Sequence, residues 1–266
     1  MPEIAEIKIM SDHINNRCSD KVFYSVWKNP QHKSKTDLSQ ISSILSGGAS
    51  ITSSARGKEL RVDFESSTGK ISLYFMMGMS GNFKFVKNPD EHPKHSHLVF
   101  RGTGFELCMY DLRRFARWRV DTHWSENRGP CPLTEFSDFS NLVTQSLDNK
   151  EFNKPMYEIL MNQKFFNGIG NYLRAEILGR IDKDPKISAR TYIKENPDVI
   201  GLCHEISKQA YDIGGGRLKD WYNNEEIQDS TNNFKNWMKY YFNKETCTPI
   251  LDSTGRKFWI DNKWIN

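Results

Sequence analysis

The apolar residues change their spacing once along this chain, and that change limits the fold more than any composition figure. In the first half they fall in short runs, Val22–Trp27, Leu60–Phe64, Ile71–Met77, Leu98–Arg101 and Phe105–Tyr110. These runs are rich in the β-branched and aromatic side chains that suit strands. Before them stands one helix, with Ile7, Met10 and Ile14 on a single stripe. Past the polar, turn-rich stretch SENRGPCPLTEFSDFSNLVTQSLDNK the spacing becomes helical. It gives Pro155–Met161, Gly170–Arg180, a run opened by Asn196 and Pro197 and stopped by Gly214, then Asn233–Phe242. The final DSTGRKFWIDNKWIN returns to strand, turn and strand around Thr254–Gly255. The expectation is an α+β chain. An N-terminal β-sandwich with an N-terminal helix occupies 1–128, a linker 129–150, a helical domain 151–234, and a helix end with a β-hairpin 235–266.

Composition removes several classes. A chain of 266 residues, 37% of them hydrophobic, buries a real core, so disordered and fibrous proteins are excluded. No stretch approaches the roughly 18 uncharged apolar residues of a membrane span, and the opening MPEIAEIKIM lacks a basic segment followed by an apolar one. A soluble, intracellular protein is expected. Cys18, Cys108, Cys131, Cys203 and Cys247 are odd in number, scattered and never spaced as C-x-x-C, which argues against a disulfide framework and a thiolate zinc site. His92, His95 and His97 in EHPKHSH are read as hydrogen-bonded or solvated, so no metal and no cofactor are expected. The net charge is only +4, yet residues 101–119, 164–190 and 235–266 each carry a net +3. Three basic segments far apart in sequence are able to converge on a phosphate backbone, although ordinary solvated charge reads the same way.

A few residues carry chemistry. A small residue at position two lets an aminopeptidase remove Met1, which leaves the secondary amine of Pro2 beside the carboxylate of Glu3. An α-amine with a reference pKa of about 8 is about one-tenth unprotonated at neutral pH, so it serves as a nucleophile without special tuning. Glu3 can pass protons to and from the atoms attacked. Pro followed by Glu is also an ordinary helix start. Asn167–Gly168–Ile169–Gly170–Asn171 sets backbone amides and two glycines at a helix N-terminus, which suits a phosphate; tight helix packing explains the glycines equally well. Lys58 sits in a hairpin turn of ARGKEL, within reach of a phosphate or a sugar. Met79 in the turn GMSG, with Arg113 and Phe115 on alternate residues of a strand face, forms a wedge of the kind that opens a base step; core packing is the plainer account of Met79 and Phe115.

Taken together, Pro2–Glu3, ARGKEL, GMSG, DLRRFARW, FFNGIGNYLRAEIL and TGRKFWI resemble, in order and spacing, the formamidopyrimidine-DNA glycosylase and endonuclease VIII superfamily over nearly the whole chain. FFNGIGNYLRAEIL is similar to its helix-two-turns-helix DNA-binding element. The resemblance implies that Pro2 attacks C1′ of a damaged nucleotide, Glu3 handles protons and Lys58 is the essential hairpin lysine. Asn171 and Arg256 would grip phosphate beside Gly168 and Gly170, while Met79, Arg113 and Phe115 fill the void left by the everted base. Most bacterial members end in a four-cysteine zinc finger; here that region has only Cys247, and a hairpin with Arg256 resembles the zincless finger of the endonuclease VIII-like branch. The implied activity is that of a bifunctional DNA glycosylase and abasic-site lyase in base excision repair. It would excise oxidised pyrimidines and hydantoins through a Schiff base, then carry out β- and δ-elimination, as a monomer on DNA holding oxidised bases or abasic sites. Arg217, in GGGRLKDW, is the candidate lesion reader. The alternative is a non-catalytic binder of damaged or kinked DNA.

Overall fold

The structure, a computed structural model, describes residues 2–88, 92–121, 123–216 and 233–265. It divides into two compact units, one built mainly on Glu6–Trp124 and the other on Glu3–Ala5 and most of the chain from Ser125 onward. No helix among the described residues is long and apolar enough to cross a membrane.

The first unit runs α1 (Ile4–Cys18), β1 (Phe23–Lys28), α2 (Ser39–Ser46), β2 (Ser50–Arg56), β3 (Glu59–Ser66), β4 (Gly69–Met76), β5 (Asn82–Val86), β6 (Ser96–Gly102), β7 (Phe105–Tyr110) and β8 (Arg117–Val120). The strands form two antiparallel sheets, ordered β1-β6-β7-β5 and β2-β3-β4-β8. Leu60, Val62 and Phe64 are fully buried at alternate positions of β3, as the period of a strand requires. Between the sheets Phe64 meets Phe100 at 5.0 Å and Phe75 meets Phe83 at 5.1 Å between ring centroids, so aromatic packing supplies much of this core. Three strands, β2, β5 and β8, go beyond the runs expected from sequence. SITSSAR in β2 has one fully buried apolar side chain, Ile51, and β8 is four residues long, so neither carries a readable apolar period.

The second unit contains α3 (Phe136–Gln145), α4 (Met156–Ile159), α5 (Asn171–Gly179), α6 (Ala189–Glu195), α7 (Asp198–Asp212) and the antiparallel pair β9 (Cys247–Leu251) and β10 (Lys257–Asp261). Helix α3 lies inside 129–150, whose composition announces only turns. Phe139 and Val143, one helical turn apart, bury it in the core of this unit. Asn196 does not cap α7 with its side chain. Its Nδ2 donates to the Tyr192 carbonyl and so closes α6, and α7 starts after Pro197. The expected helix over Asn233–Phe242 is helical only at 233–237, because the next amides are claimed from outside: Lys239, Tyr240 and Tyr241 donate to the buried carboxylate of Glu176 at 3.1, 2.9 and 2.9 Å.

Candidate functional site

In the first unit, the turn after β4 and the loop between β7 and β8 are built around one carboxylate. Asp111 is wholly buried; its Oδ1 accepts the Ser80 hydroxyl and, at 3.1 Å, the Arg113 amide, while Oδ2 accepts the amides of Phe115 and Ala116, each at 2.7 Å. Burial works to raise the Asp111 carboxyl, but the Ser80 hydroxyl and those amides outweigh it and hold it below its usual value. The turn and the loop are packed against each other. Gly78 has φ +60°, and a Cβ there would stand 2.8 Å from the backbone carbon of Phe115, so only glycine fits. What this base presents is apolar and exposed: Met79 is 42%, Phe115 50% and Leu112 67% accessible, and the Arg113 guanidinium lies 4.8 Å from the Phe115 ring centroid.

The structure therefore brings Met79, Arg113 and Phe115 together, but it corrects their setting. Arg113 and Phe115 lie in a loop ahead of β8, not on a strand, because Arg114 between them takes φ +57° and breaks the pleat. Sequence reasoning missed Asp111 and Leu112. An aspartate opening a turn of four charged or bulky residues was the available signal. Lys58 is half-buried in the two-residue turn joining β2 and β3, where Arg56 pairs with Glu59 and Gly57 has φ +58°. Pro2 is also half-buried in this unit.

In the second unit, Glu3 occupies the N-terminus of α5. Its buried carboxylate accepts the amides of Gly170, Tyr172 and Leu173 at 2.8, 3.0 and 3.3 Å, and the Ile4 amide donates to the Gly168 carbonyl at 3.1 Å. Negative charge on Glu3 is thus met by three N–H donors at the positive end of a helix. The glycines serve this docking. A Cβ on Gly170 would fall 2.3 Å from the Glu3 carboxyl carbon, and Gly168 takes φ +98°. Of the 167–171 stretch read as a phosphate seat, the Gly170 amide is taken by the chain's own Glu3 and the Gly168 amide by Gln163. Arg128, Gln163 and Asn167 brace the same turn: Gly168 donates to Gln163 Oε1 at 3.0 Å, Gln163 Nε2 to the Ile169 carbonyl at 2.9 Å, and Asn167 Nδ2 to the Gly129 carbonyl at 2.9 Å. Arg128 reaches both amide oxygens, at 3.3 and 3.4 Å.

Asn171, at the first turn of α5, and Arg256, in the exposed turn between β9 and β10, are both tied to buried groups. Arg174 Nη2 donates to Asn171 Oδ1 at 2.5 Å, and its Nη1 pairs with Asp252 Oδ2 at 2.9 Å. Asp252 Oδ1 in turn accepts the amides of Thr254 and Arg256, at 3.0 and 2.9 Å, and shapes the hairpin turn. Burial pushes the Asp252 carboxyl up, but the Thr254 hydroxyl, Arg174 and those amides overcome it and hold it at about 2. Arg217 lies outside the described residues.

The three histidines do not share a site. His97 Nε2 bonds the Asp111 carbonyl at 2.9 Å, its ring sits 4.7 Å from that of His32, and His95 turns the chain at φ +71°. His92 instead joins Glu106 and Cys108. Their ligand atoms lie within 4.8 Å of one another, the one metal-sized grouping among the described residues. Both oxygens of Glu106 are engaged there, by Arg101 Nε and His92 Nδ1, each at 2.8 Å, so the group is satisfied as an ion-pair cluster.

Residues 1–118 match the family model described as the formamidopyrimidine-DNA glycosylase N-terminal domain. The chain is 33% identical over 297 aligned positions to the human protein Endonuclease 8-like 1, spanning 98% of this chain and 72% of that one. It is 27% identical to the formamidopyrimidine-DNA glycosylase of Wolbachia pipientis, spanning 83% of this chain and 82% of that one. Among solved structures, the Lactococcus lactis Fpg protein in complex with DNA containing an oxidised pyrimidine superposes with a TM-score of 0.78 at 20% identity, over 98% of both chains.

Proposed function

The chain belongs to the formamidopyrimidine-DNA glycosylase and endonuclease VIII family and is a DNA glycosylase of base excision repair, and from that premise we propose a bifunctional enzyme that excises oxidised bases and then cleaves the strand. The observation that carries this reading is the placement of Glu3. The residue next to the Pro2 amine is locked by three backbone amides into the N-terminus of α5, through a glycine that leaves no room for a side chain. A carboxylate held so firmly, one residue from a nucleophilic amine, is arranged for proton transfer at the reacting sugar.

In the proposed reaction the unprotonated Pro2 nitrogen attacks C1′ and the C1′–base bond breaks, its electron pair leaving with the base, which takes up a proton. The C1′–O4′ bond then breaks, O4′ takes up a proton, and a cationic iminium (Schiff base) joins Pro2 to C1′ of the opened sugar. The iminium acidifies the C2′ protons; loss of one expels the 3′ phosphate by β-elimination, and loss of the C4′ proton, made acidic by the new C2′–C3′ double bond, then expels the 5′ phosphate by δ-elimination. Glu3 supplies and takes up protons at the base and sugar ring, and Lys58, in its hairpin turn, contacts the phosphate or sugar. Asn171 and Arg256 grip the backbone. Met79, Arg113 and Phe115 fill the gap left by the everted base, for which their exposed, jointly braced positions suit them. Oxidised pyrimidines and hydantoins are the proposed lesions, supported by the likeness to Endonuclease 8-like 1 and by a terminal hairpin with Cys247 as its one cysteine.

Reductive trapping tests this. Protein with a native amino terminus is incubated with an oligonucleotide carrying thymine glycol or an abasic site, and borohydride is added. A covalent complex is expected with the native terminus and not with Pro2→Gly or an N-terminal tag. Trapping that survives the tag would move the nucleophile to an internal lysine such as Lys58. No trapping with DNA binding intact would leave a non-catalytic binder of damaged DNA. Glu3→Gln is expected to lose base excision while keeping much of its cleavage of a ready-made abasic site, and equal retention of both would remove Glu3 from the excision step.

A further inference from the structure

A phosphate needs hydrogen-bond donors, and an asparagine amide carries a donor end and an acceptor end that exchange places when the group flips. Asn171 is not free to flip. Its Oδ1 accepts Arg174 Nη2, while no described residue accepts from its NH2 group, so the donor end is the one left for a ligand. Arg174 is fully buried yet uses four N–H bonds. Nη2 also reaches the Lys257 carbonyl at 3.3 Å, and Nη1 reaches the Tyr157 carbonyl at 3.1 Å and Asp252 Oδ2 at 2.9 Å. Its guanidinium lies 4.9 Å from the Phe258 ring centroid, which packs against Tyr157 at 5.2 Å. The same fork therefore holds the Asn171 side chain on α5 and, through Asp252, the turn that ends in Arg256.

We infer that Arg174 is a positioning residue that makes Asn171 and Arg256 a single clamp, so that the helical element and the terminal hairpin bind the DNA backbone as one energetically coupled site. This rests on the proposed phosphate-gripping roles of Asn171 and Arg256. Arg174 itself, enclosed by protein, touches no phosphate. Lysine in its place keeps the charge opposite Asp252 but has no planar fork to serve Asn171 and Asp252 at once.

The test is a mutant cycle in the full chain, reading both the dissociation constant for a duplex with a tetrahydrofuran abasic site at one fixed salt concentration and the melting temperature. Arg174→Lys is expected to weaken binding about tenfold, the scale of one charge-assisted hydrogen bond. In an Asn171→Ala/Arg256→Ala background the same change is expected to weaken binding no further, while it still lowers the melting temperature through the contacts of Arg174 to Tyr157, Asp252 and Lys257. Equal loss of affinity in both backgrounds would make Arg174 merely structural and overturn the inference. If Asn171→Ala and Arg256→Ala bind like the parent, the gripping roles themselves fall, and the clamp with them. Should Arg174→Lys fail to fold, Asn171→Asp decides. It keeps an acceptor facing Arg174 and removes the donors, so melting should hold or rise while binding drops; a melting loss as large as that of Asn171→Ala would show that the contact does not operate.

Discussion

The loop carrying Arg113 and Phe115 and the clamp carrying Asn171 and Arg256 solve one problem with opposite charges. Each must present exposed side chains rigidly. The loop is organised by an anion, Asp111, that gathers amides and a hydroxyl from its own neighbourhood, three of them within five residues of it. The clamp is organised by a cation, Arg174, whose partners Asp252 and Lys257 lie 78 and 83 residues away in sequence. The Asp111 hub draws mostly on its own loop and ties it to one neighbouring turn through Ser80. A distant hub fastens elements together, so the fold and the site depend on the same ion pair.

The contrast is sharpest in what removal costs. Asp252→Ala would leave the Arg174 guanidinium buried without its counter-charge and the hairpin turn without its acceptor, a loss of about 3–5 kcal/mol in urea unfolding. Asp111→Asn keeps one acceptor and aims an NH2 group at donors, a loss of about 1–3 kcal/mol. If Asp111→Asn proved as damaging as Asp252→Ala, the distinction between a local and a distant hub would not hold.

These hubs also mark where the sequence stops being readable. Met79 and Phe115 could be singled out because bulky apolar residues in charged turns go against burial, and Pro2–Glu3 because the pair has evident chemistry. Arg174 and Glu176, in LRAEIL, look like ordinary solvated charges on a helix face. They are buried because every residue from Tyr172 to Leu178 is buried, and beside nearer partners such as Asn171 and Arg180 each is met by groups more than 60 positions further along, Asp252 for Arg174 and the amides of 239–241 for Glu176. No local pattern encodes that. The sandwich was legible strand by strand where apolar and charged residues alternate, as in β3, and lost where polar residues line the strand, as in β2. The helix in 129–150 was hidden by turn-forming residues, although the Phe139 and Val143 spacing was there to be found.

Acid separates the hubs on a smaller scale. Asp252 is held at about 2 in the folded chain, against an ordinary 3.8, so its contribution of roughly 2 kcal/mol is present above pH 4 and fades as the pH falls through the folded value. The chain should lose stability between about pH 4 and pH 2, and Asp252→Asn, already destabilised, should lose less over that range. Asp111, also lowered, contributes with the same sign. Unfolding free energies at pH 5, 3 and 2 for both asparagine variants would sharpen the comparison, and an unaltered acid slope in Asp252→Asn would break it.

The smallest effect on stability is expected at the tip that the Asp111 hub displays. Met79 is 42% exposed in a turn whose backbone is already fixed by Gly78 against Phe115, so Met79→Ala removes little buried surface and should change unfolding by no more than about 0.5 kcal/mol. If the side chain works only when a base has been everted, the loss should appear in excision instead, as a fall of about tenfold in turnover on duplex with little change on an abasic site in single-stranded DNA. Single-stranded substrate has no stacked partner to fill in for, which is why it serves as the control. A stability loss near that of Asp111→Asn would place Met79 in the core and not on a wedge; an equal fall on both substrates would mean that it shapes the active site in general. In either case the exposed tip would be doing structural work that the hub beneath it was assigned.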